Sequence, residues 1–334
     1  MVSFRQVGRG VVRSVRAVRR ENQRAERRRL AYDKAAQKQA ALEAAAEAAG
    51  EYDRLIESLT GAHRIDLQRR DWASLAASPR PAAPVRGAAQ EEAARRELEG
   101  YRPGWFARTF GGATRRRAAL DAAVAAARAR DEAAFQAQVA AAGARTAEID
   151  HAQRLVDRDP ETVVDALGRF SRLGDLPFAV EGMDVVFVEG GRIVAMIDGL
   201  DLEDMPDRSV TLLQSGKASV KPLSNARLLE LHRDAICSAA VRVALELLQA
   251  LPVDEAEVVM QADLLDPGSG HIGPTPVLYL KATAQAIGLV NLQRAEPAAL
   301  VERLGGHSAW TARQGFRPID LGEVDVPAYE REGE

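Results

Sequence analysis

Asn225-Ala-Arg-Leu-Leu-Glu-Leu-His-Arg-Asp-Ala-Ile-Cys-Ser-Ala-Ala-Val-Arg-Val-Ala-Leu-Glu-Leu-Leu-Gln-Ala-Leu251 is the stretch on which the fold turns. It is apolar on more than one face, through Leu228, Leu229, Ile236, Val241, Val243, Leu245, Leu247 and Leu248. A helix that is apolar all round is a buried one, so this is the expected central helix of a packed domain. Arg242 and Glu246 interrupt it, and no run elsewhere reaches the ~18 apolar residues of a spanning helix. Before it, residues 184–189 and 192–197 flank Gly190-Gly191, and residues 209–213 and 218–221 flank Ser215-Gly216. Each pair reads as a β-hairpin. After it, runs 257–265 and 277–284 flank the turn Asp266-Pro-Gly-Ser-Gly270. Further helices fit 160–173 and 297–304, and a closing segment lies near Phe316. The expected order is α-ββββ-α-ββ-α: an α+β domain over residues 159–320, with helices on one face of a largely antiparallel sheet.

The chain changes character near residue 160. Before it alanine, arginine and glutamate dominate and large apolar residues are sparse. Two long helices are expected, about 11–59 and 113–156, each reaching ~65–75 Å at the α-helical rise. Asp159-Pro160 ends the second. Helices of that length cannot be buried along themselves in so small a domain, so they are expected to pair as a coiled-coil-like helical hairpin, a stalk over 30–158. Tyr52, Leu55, Ile56 and Leu59 follow a 3–4 spacing in the first; Leu120, Val124, Phe135 and Val139 do so in the second. Alanine fills the seam between them. The connector, 61–112, contains the non-helical Ser78-Pro-Arg-Pro-Ala-Ala-Pro84, a short helix at 88–101, and Trp105, Phe106 and Phe110. With Trp72 these aromatics either plug the hairpin tip or present a partner-binding surface. Residues 321–334 form an acidic tail.

The composition excludes several classes. The chain has 334 residues, a net charge of −3 and 28% charged residues of balanced sign, which excludes a wholly disordered chain. Its only cysteine, Cys237, excludes an intrachain disulfide framework and a zinc site of several thiolates. Forty of the 45 basic residues are arginine, and alanine is more abundant still, as in a GC-rich genome. The number of arginines therefore does not by itself argue phosphate recognition. With no apolar core behind the basic N-terminus, a cytoplasmic protein is expected.

Chemistry-bearing patterns are few. Gly216-Lys217-Ala218-Ser219 lacks the glycine that a phosphate loop needs at position 211, where Thr211 stands. His63, His151, His232, His271 and His307 are scattered, with no helical metal-ligand spacing. His232 and Cys237 lie ~140° apart around one helix, which argues against a nucleophile pair. The patterned signal is at the N-terminus. Arg5, Arg9, Arg13, Arg16, Arg20, Arg24 and Arg27 recur at 3–4 spacing, opposite Phe4, Val7, Val11, Val15 and Val18. Residues 1–38 carry a net +9, so a basic amphipathic arm, 1–29, could meet anionic lipid, nucleic-acid phosphates or an acidic protein. Gly8 and Gly10 argue for flexibility there.

Two resemblances extend this reading. Asp263-Leu-Leu-Asp266, Gly270 and Val277-Leu-Tyr-Leu-Lys281 resemble the metal-binding hairpin of restriction-endonuclease-like nucleases, with Glu230 and Glu246 on the preceding helix. Tyr279 replaces the acid or glutamine of that pattern, so the resemblance implies a degenerate relative. Residues 231–253, 262–272 and 314–318 resemble a group of bacterial proteins of uncharacterised function with a helical N-terminal region and a compact C-terminal domain. That resemblance covers the last half of the chain; it implies a bacterial cytoplasmic source and no activity. The sequence therefore supports a non-enzymatic interaction or adaptor protein, self-associating or binding a protein partner. The alternatives are nucleic-acid or anionic-membrane binding through 1–29, and then the degenerate nuclease. Arg5, Arg9, Arg13, Arg16, Arg20, Arg24, Trp105, Phe106 and Phe110 are the candidate contact residues. No catalytic, cofactor, metal or small-molecule site is assigned.

Overall fold

The structure, a computed structural model, describes residues 4–109, 112–176, 183–188 and 192–322; the side chains of 4–27 lie outside that description. Its helices are α1 (Phe4–Thr60), α2 (Trp72–Ala76), α3 (Ala89–Gly100), α4 (Trp105–Thr109), α5 (Gly112–Val156), α6 (Pro160–Phe170), α7 (Asn225–Ala250), α8 (Ala284–Gly288) and α9 (Pro297–Arg303). The strands are β1 (Asp184–Val188), β2 (Arg192–Asp198), β3 (Arg208–Leu212), β4 (Ala218–Pro222), β5 (Glu255–Leu265), β6 (Ile272–Thr283), β7 (His307–Thr311) and β8 (Gly315–Arg317). The protein is thus mixed helix and sheet, with a long N-terminal helix and a C-terminal sheet domain. It divides into two compact units: residues 1–67 with 172–246 and 253–334, and residues 68–171 with 247–252.

The first unit is built on a six-stranded sheet of order β1-β2-β5-β6-β7-β8. Every junction is antiparallel except β2–β5, which is parallel. A parallel pair needs a long crossover, and α7 supplies it. Strand alternation sends Ile193, Ala195 and Ile197, Ala256, Val258 and Met260, and Leu278, Leu280 and Ala282 to one sheet face, all fully buried. Ile236 of α7 reaches the end of β2: a Cβ on Gly199 would stand 2.7 Å from Ile236 Cδ1. On the opposite face Val194, Met196, Val259 and Tyr279 form a cluster on which Ile319 and Leu321 pack. The Ile319 N–H donates to Pro276 O at 2.9 Å and pins that segment. Leu321, placed by the sequence in an acidic tail, is therefore part of this packing; residues 323–334 lie outside the description.

Turn chemistry closes the β5–β6 hairpin. The Asp266 carboxylate accepts from Gly268 N, Ser269 N and Ser269 Oγ, and Gly270 takes φ 72°. The β3–β4 hairpin belongs to no larger sheet, and two strands alone are marginal in water. It is supported by α1: Gly216, at φ 76°, leaves so little room that a Cβ would meet Leu42 Cδ2 at 2.9 Å.

The second unit has α5 as its spine. The sequence assigned α5 to a hairpin with the first helix, but these two helices fall in different units. Within its own unit α5 has an antiparallel companion in the connector, through contacts with α2, α3 and α4. Gln153 Nε2 donates to Ala76 O at the end of α2, and Arg80 pairs with Asp150 at 2.7 Å. Arg86 pairs with Glu132, and Asp131 accepts from Gln90 N and Glu91 N, capping α3 from outside because Ala88 cannot. Arg116 pairs with Glu97 near the far end. Charges on α5 thus hold the proline-rich stretch down as an ordered companion strand of chain. The expected boundary at 158/159 also moves. Helix α6, begun by the Asp159 cap and Pro160, buries Val163, Ala166 and Leu167 in this unit. Residues 1–67 group with the sheet.

Candidate interaction surface

The arginines Arg5, Arg9, Arg13, Arg16, Arg20 and Arg24 all fall on the first turns of α1, which runs unbroken through Gly8 and Gly10. The flexible arm expected from those glycines is helical instead. Two glycines cost ~1 kcal/mol each against alanine, but a helix already propagating over dozens of residues absorbs that. From Arg28 to Ala41 every residue of α1 is exposed, including Leu30 and Tyr32 at 63% and 80%. Burial begins at Leu42 and is complete only at Ala49 and Leu59. Among its described side chains the helix therefore has an exposed stretch, 28–41, and an anchored part from Leu42 on.

The anchor is a buried polar node that sequence reasoning missed. His63 and Ser238 are both fully buried. Nε2 of His63 lies 3.1 Å from Ala295 O; a carbonyl only accepts, so Nε2 carries the proton. Nδ1 then accepts from Ser238 Oγ at 2.9 Å, while that oxygen accepts from His63 N at 3.2 Å. Beside it Arg242 Nε meets Glu246 Oε1 at 2.7 Å, Arg242 Nη1 donates to Ala62 O at 3.0 Å, and Glu246 Oε2 accepts from Arg172 N at 2.9 Å. The Ser–His pair has the atoms of a nucleophile and base. Its ring nitrogens and hydroxyl are all engaged, and His63 and Ser238 are themselves fully buried, so the pair locks the end of α1 onto α7. Burial holds the His63 imidazole below its ordinary range. The only sequence trace of this node was the pair of charges, four residues apart, inside an apolar helix.

The aromatic candidates separate. Trp105 and Phe106 on α4 are 68% and 61% exposed, with ring centroids 3.7 Å apart. Phe110 lies outside the described residues. Trp72 does not join them; it is buried against Phe170 at 5.2 Å and His151 at 5.9 Å, with the Arg70 guanidinium over Phe170 at 4.2 Å. A core at a hairpin tip is therefore replaced by a core beside α6 and a separate exposed aromatic pair.

The nuclease-like residues are not brought together. Lys281 stands opposite Glu257 in the β5–β6 register and pairs with Glu255 at 2.7 Å. Asp263 pairs opposite Pro274, six residues further along β5, about 20 Å away at the strand rise. Tyr279 donates to the buried Glu257 at 2.8 Å. Glu246 is consumed by Arg242, and Asp266 by its own turn. His232 donates from Nε2 to Leu200 O at 2.7 Å and packs edge-on against Phe316. Burial drives the Cys237 thiol up to about 12, the opposite of an activated nucleophile. Gly216-Lys217 is the β3–β4 turn. Among the described residues no cluster of three His, Cys, Asp or Glu could hold a metal ion, and no helix is long and apolar enough to cross a membrane. A cavity of about 630 Å³ lies between the end of α3 and the start of α5, where Glu99, Arg102, Arg117 and Asp121 offer charges of both signs. A shallower one of about 370 Å³ lies beside α9. No family model, curated protein or solved structure matches the chain.

Proposed function

We propose that the protein is a non-enzymatic interaction protein whose docking element is the outer half of α1, carried on an α+β body. The observation that carries this reading is the unbroken exposure of residues 28–41 on a helix that continues outward from there to Phe4. The helical backbone ahead of Leu42 spans 38 residues, ~57 Å. Isolated helices draw little stability from their own hydrogen bonds, and long ones in proteins persist because a face is covered. The body supports the same reading from the other side: its buried serine, histidine, cysteine and acids are occupied in packing. Self-association through α1, in a coiled-coil-like stalk, is one way of covering it; a different macromolecule is the other.

The test is site-specific photo-crosslinking in the full-length protein, with the probe at Leu30 or Tyr32 and a control at Val164, which is 71% exposed on α6. Adducts from the α1 positions in cells of the native source, and none above background from Val164, are the expected result. Equal labelling from all three, or none from α1, would remove the docking role.

A further inference from the structure

We infer that the outer part of α1 docks on an anionic lipid surface; the inference rests on the reading of that segment as the docking element. At ~100° per residue, positions 4, 7, 11, 15 and 18 fall within an arc of about 80°. All five are apolar: Phe4, Val7, Val11, Val15 and Val18. Positions 5, 9, 13, 16, 20, 24 and 27 fall on an arc centred about 170° away. All seven are arginine. The backbone over these residues is one continuous helix, so the helical period is the right one to apply to this sequence.

The extent of each face selects among occupants. A second copy of the chain would need an apolar seam along the whole exposed helix. Past Val18 the same arc holds Asn22, Ala25, Arg29 and Asp33, so the seam of large apolar residues stops after about four turns. Nucleic acid would account for the arginines but gives the valine arc nothing to bury against. A lipid surface uses both. A short apolar arc enters the boundary between headgroups and acyl chains, while cations on the other arc meet anionic headgroups. The charge balance fits: residues 1–38 carry a net +9 in a chain whose total is −3. The remaining residues sum to −12, so this segment is basic in a chain that is otherwise net acidic. The next stretch, 28–41, is exposed throughout, so nothing in its own unit covers the approach.

The experiment is co-sedimentation of the full-length protein with vesicles of phosphatidylcholine alone or with about a third phosphatidylglycerol, with a parallel titration of duplex DNA and light scattering. Two variants are compared: Val7→Asp/Val11→Asp/Val15→Asp, and Arg9→Gln/Arg13→Gln/Arg16→Gln. Circular dichroism confirms that the body is unaltered in both. Expected are binding to the anionic vesicles alone, a loss of tenfold or more in each variant, and a steep fall between 0.1 and 0.5 M salt. Tighter binding to DNA that the aspartates leave unchanged would overturn the lipid assignment in favour of phosphate recognition. Dimerisation lost in the aspartate variant, without vesicle binding, would overturn it in favour of a second copy. In both cases the crosslinks from Leu30 and Tyr32 persist and the docking role survives. Absence of vesicle binding together with absence of those crosslinks would remove both.

Discussion

The buried pair Arg242–Glu246 gives the sharpest energetic test of how α1 is attached. Glu246 is 1% exposed at its side chain and Arg242 10%, and their contact is 2.7 Å. Arg242→Ala leaves a carboxylate in the core with one remaining donor, Arg172 N, and also removes the bond to Ala62 O. An uncompensated buried charge costs about 3–5 kcal/mol. Arg242→Met with Glu246→Leu removes both charges instead. It orphans Arg172 N and Ala62 O, about 1–3 kcal/mol each, and gains about 1–4 kcal/mol from the lost desolvation, for a mid-range net cost of about 1.5 kcal/mol. The double variant should therefore be the more stable of the two, against simple additivity. Urea unfolding of the full chain, read together with hydrogen exchange of the α7 amides, separates this unit from the other. If the double variant unfolds at lower urea than Arg242→Ala, or if the single change costs under about 1 kcal/mol, the node is not a dry anchor and the assignment of burial energy to it is wrong.

Acid should weaken the protein in a defined window. Burial depresses the imidazoles of His63, His151 and His232 below the ordinary 6.5, so below that pH the unfolded chain binds more protons than the native one. Stability is complete above pH 6.5 and falls as pH drops through it towards the native values; melting temperatures unchanged down to pH 5 would contradict this. Gly216→Ala forces a side chain into a left-handed turn, about 1–2 kcal/mol, and against Leu42; limited proteolysis should then cut the β3–β4 hairpin faster than in the parent. Leu245→Ala, at a fully buried position of α7, should cost about 2–5 kcal/mol in urea unfolding, while Val164→Ala should change it by under about 0.5 kcal/mol. A fragment of residues 159–334 should fail to unfold cooperatively, because it lacks Ala62 and His63; removal of 1–27 alone should leave the melting of the body in place. A cooperative melt of the fragment at the parent temperature would show that α1 is dispensable to the core.

The parts of the fold legible in the sequence are those whose signal is local. Helix α7 declared itself by its apolar surface, and the β1–β2, β3–β4 and β5–β6 hairpins by alternation around glycine turns. Strands β7 and β8 were reduced to a segment near Phe316, because five and three residues are too short to show a period and their pairing is imposed by the edge of β6. The parallel β2–β5 junction has no local signature at all. The pairing of the two long helices was argued from length, on the premise that each needs a companion. For α5 the structure shows a companion within its own unit that the sequence did not offer: Ser78–Pro84 looked like free linker because proline forbids helix there, yet Arg80 and Arg86 pair with acids on α5.

The same contrast governs the two functional features. The node of His63, Ser238, Arg242 and Glu246 was invisible because its members are about 180 residues apart and none belongs to a motif. A charge in an apolar helix is the one clue such nodes leave: Arg242 and Glu246 were read as interruptions excluding a membrane span, when their cost of burial also required partners that the helix itself could not supply. The arm was legible for the opposite reason. Its two arcs need no distant partner to be recognised, only the helical period, and a face that the chain does not itself cover keeps its pattern in plain sequence. What distinguishes lipid from a second copy there is the point at which the valines stop, and what distinguishes it from nucleic acid is the valine arc itself. Exchanging Asn22 and Ala25 for valine would extend the apolar arc without changing the charge, and by the same physics should raise affinity for anionic vesicles while leaving its fold-change with salt the same.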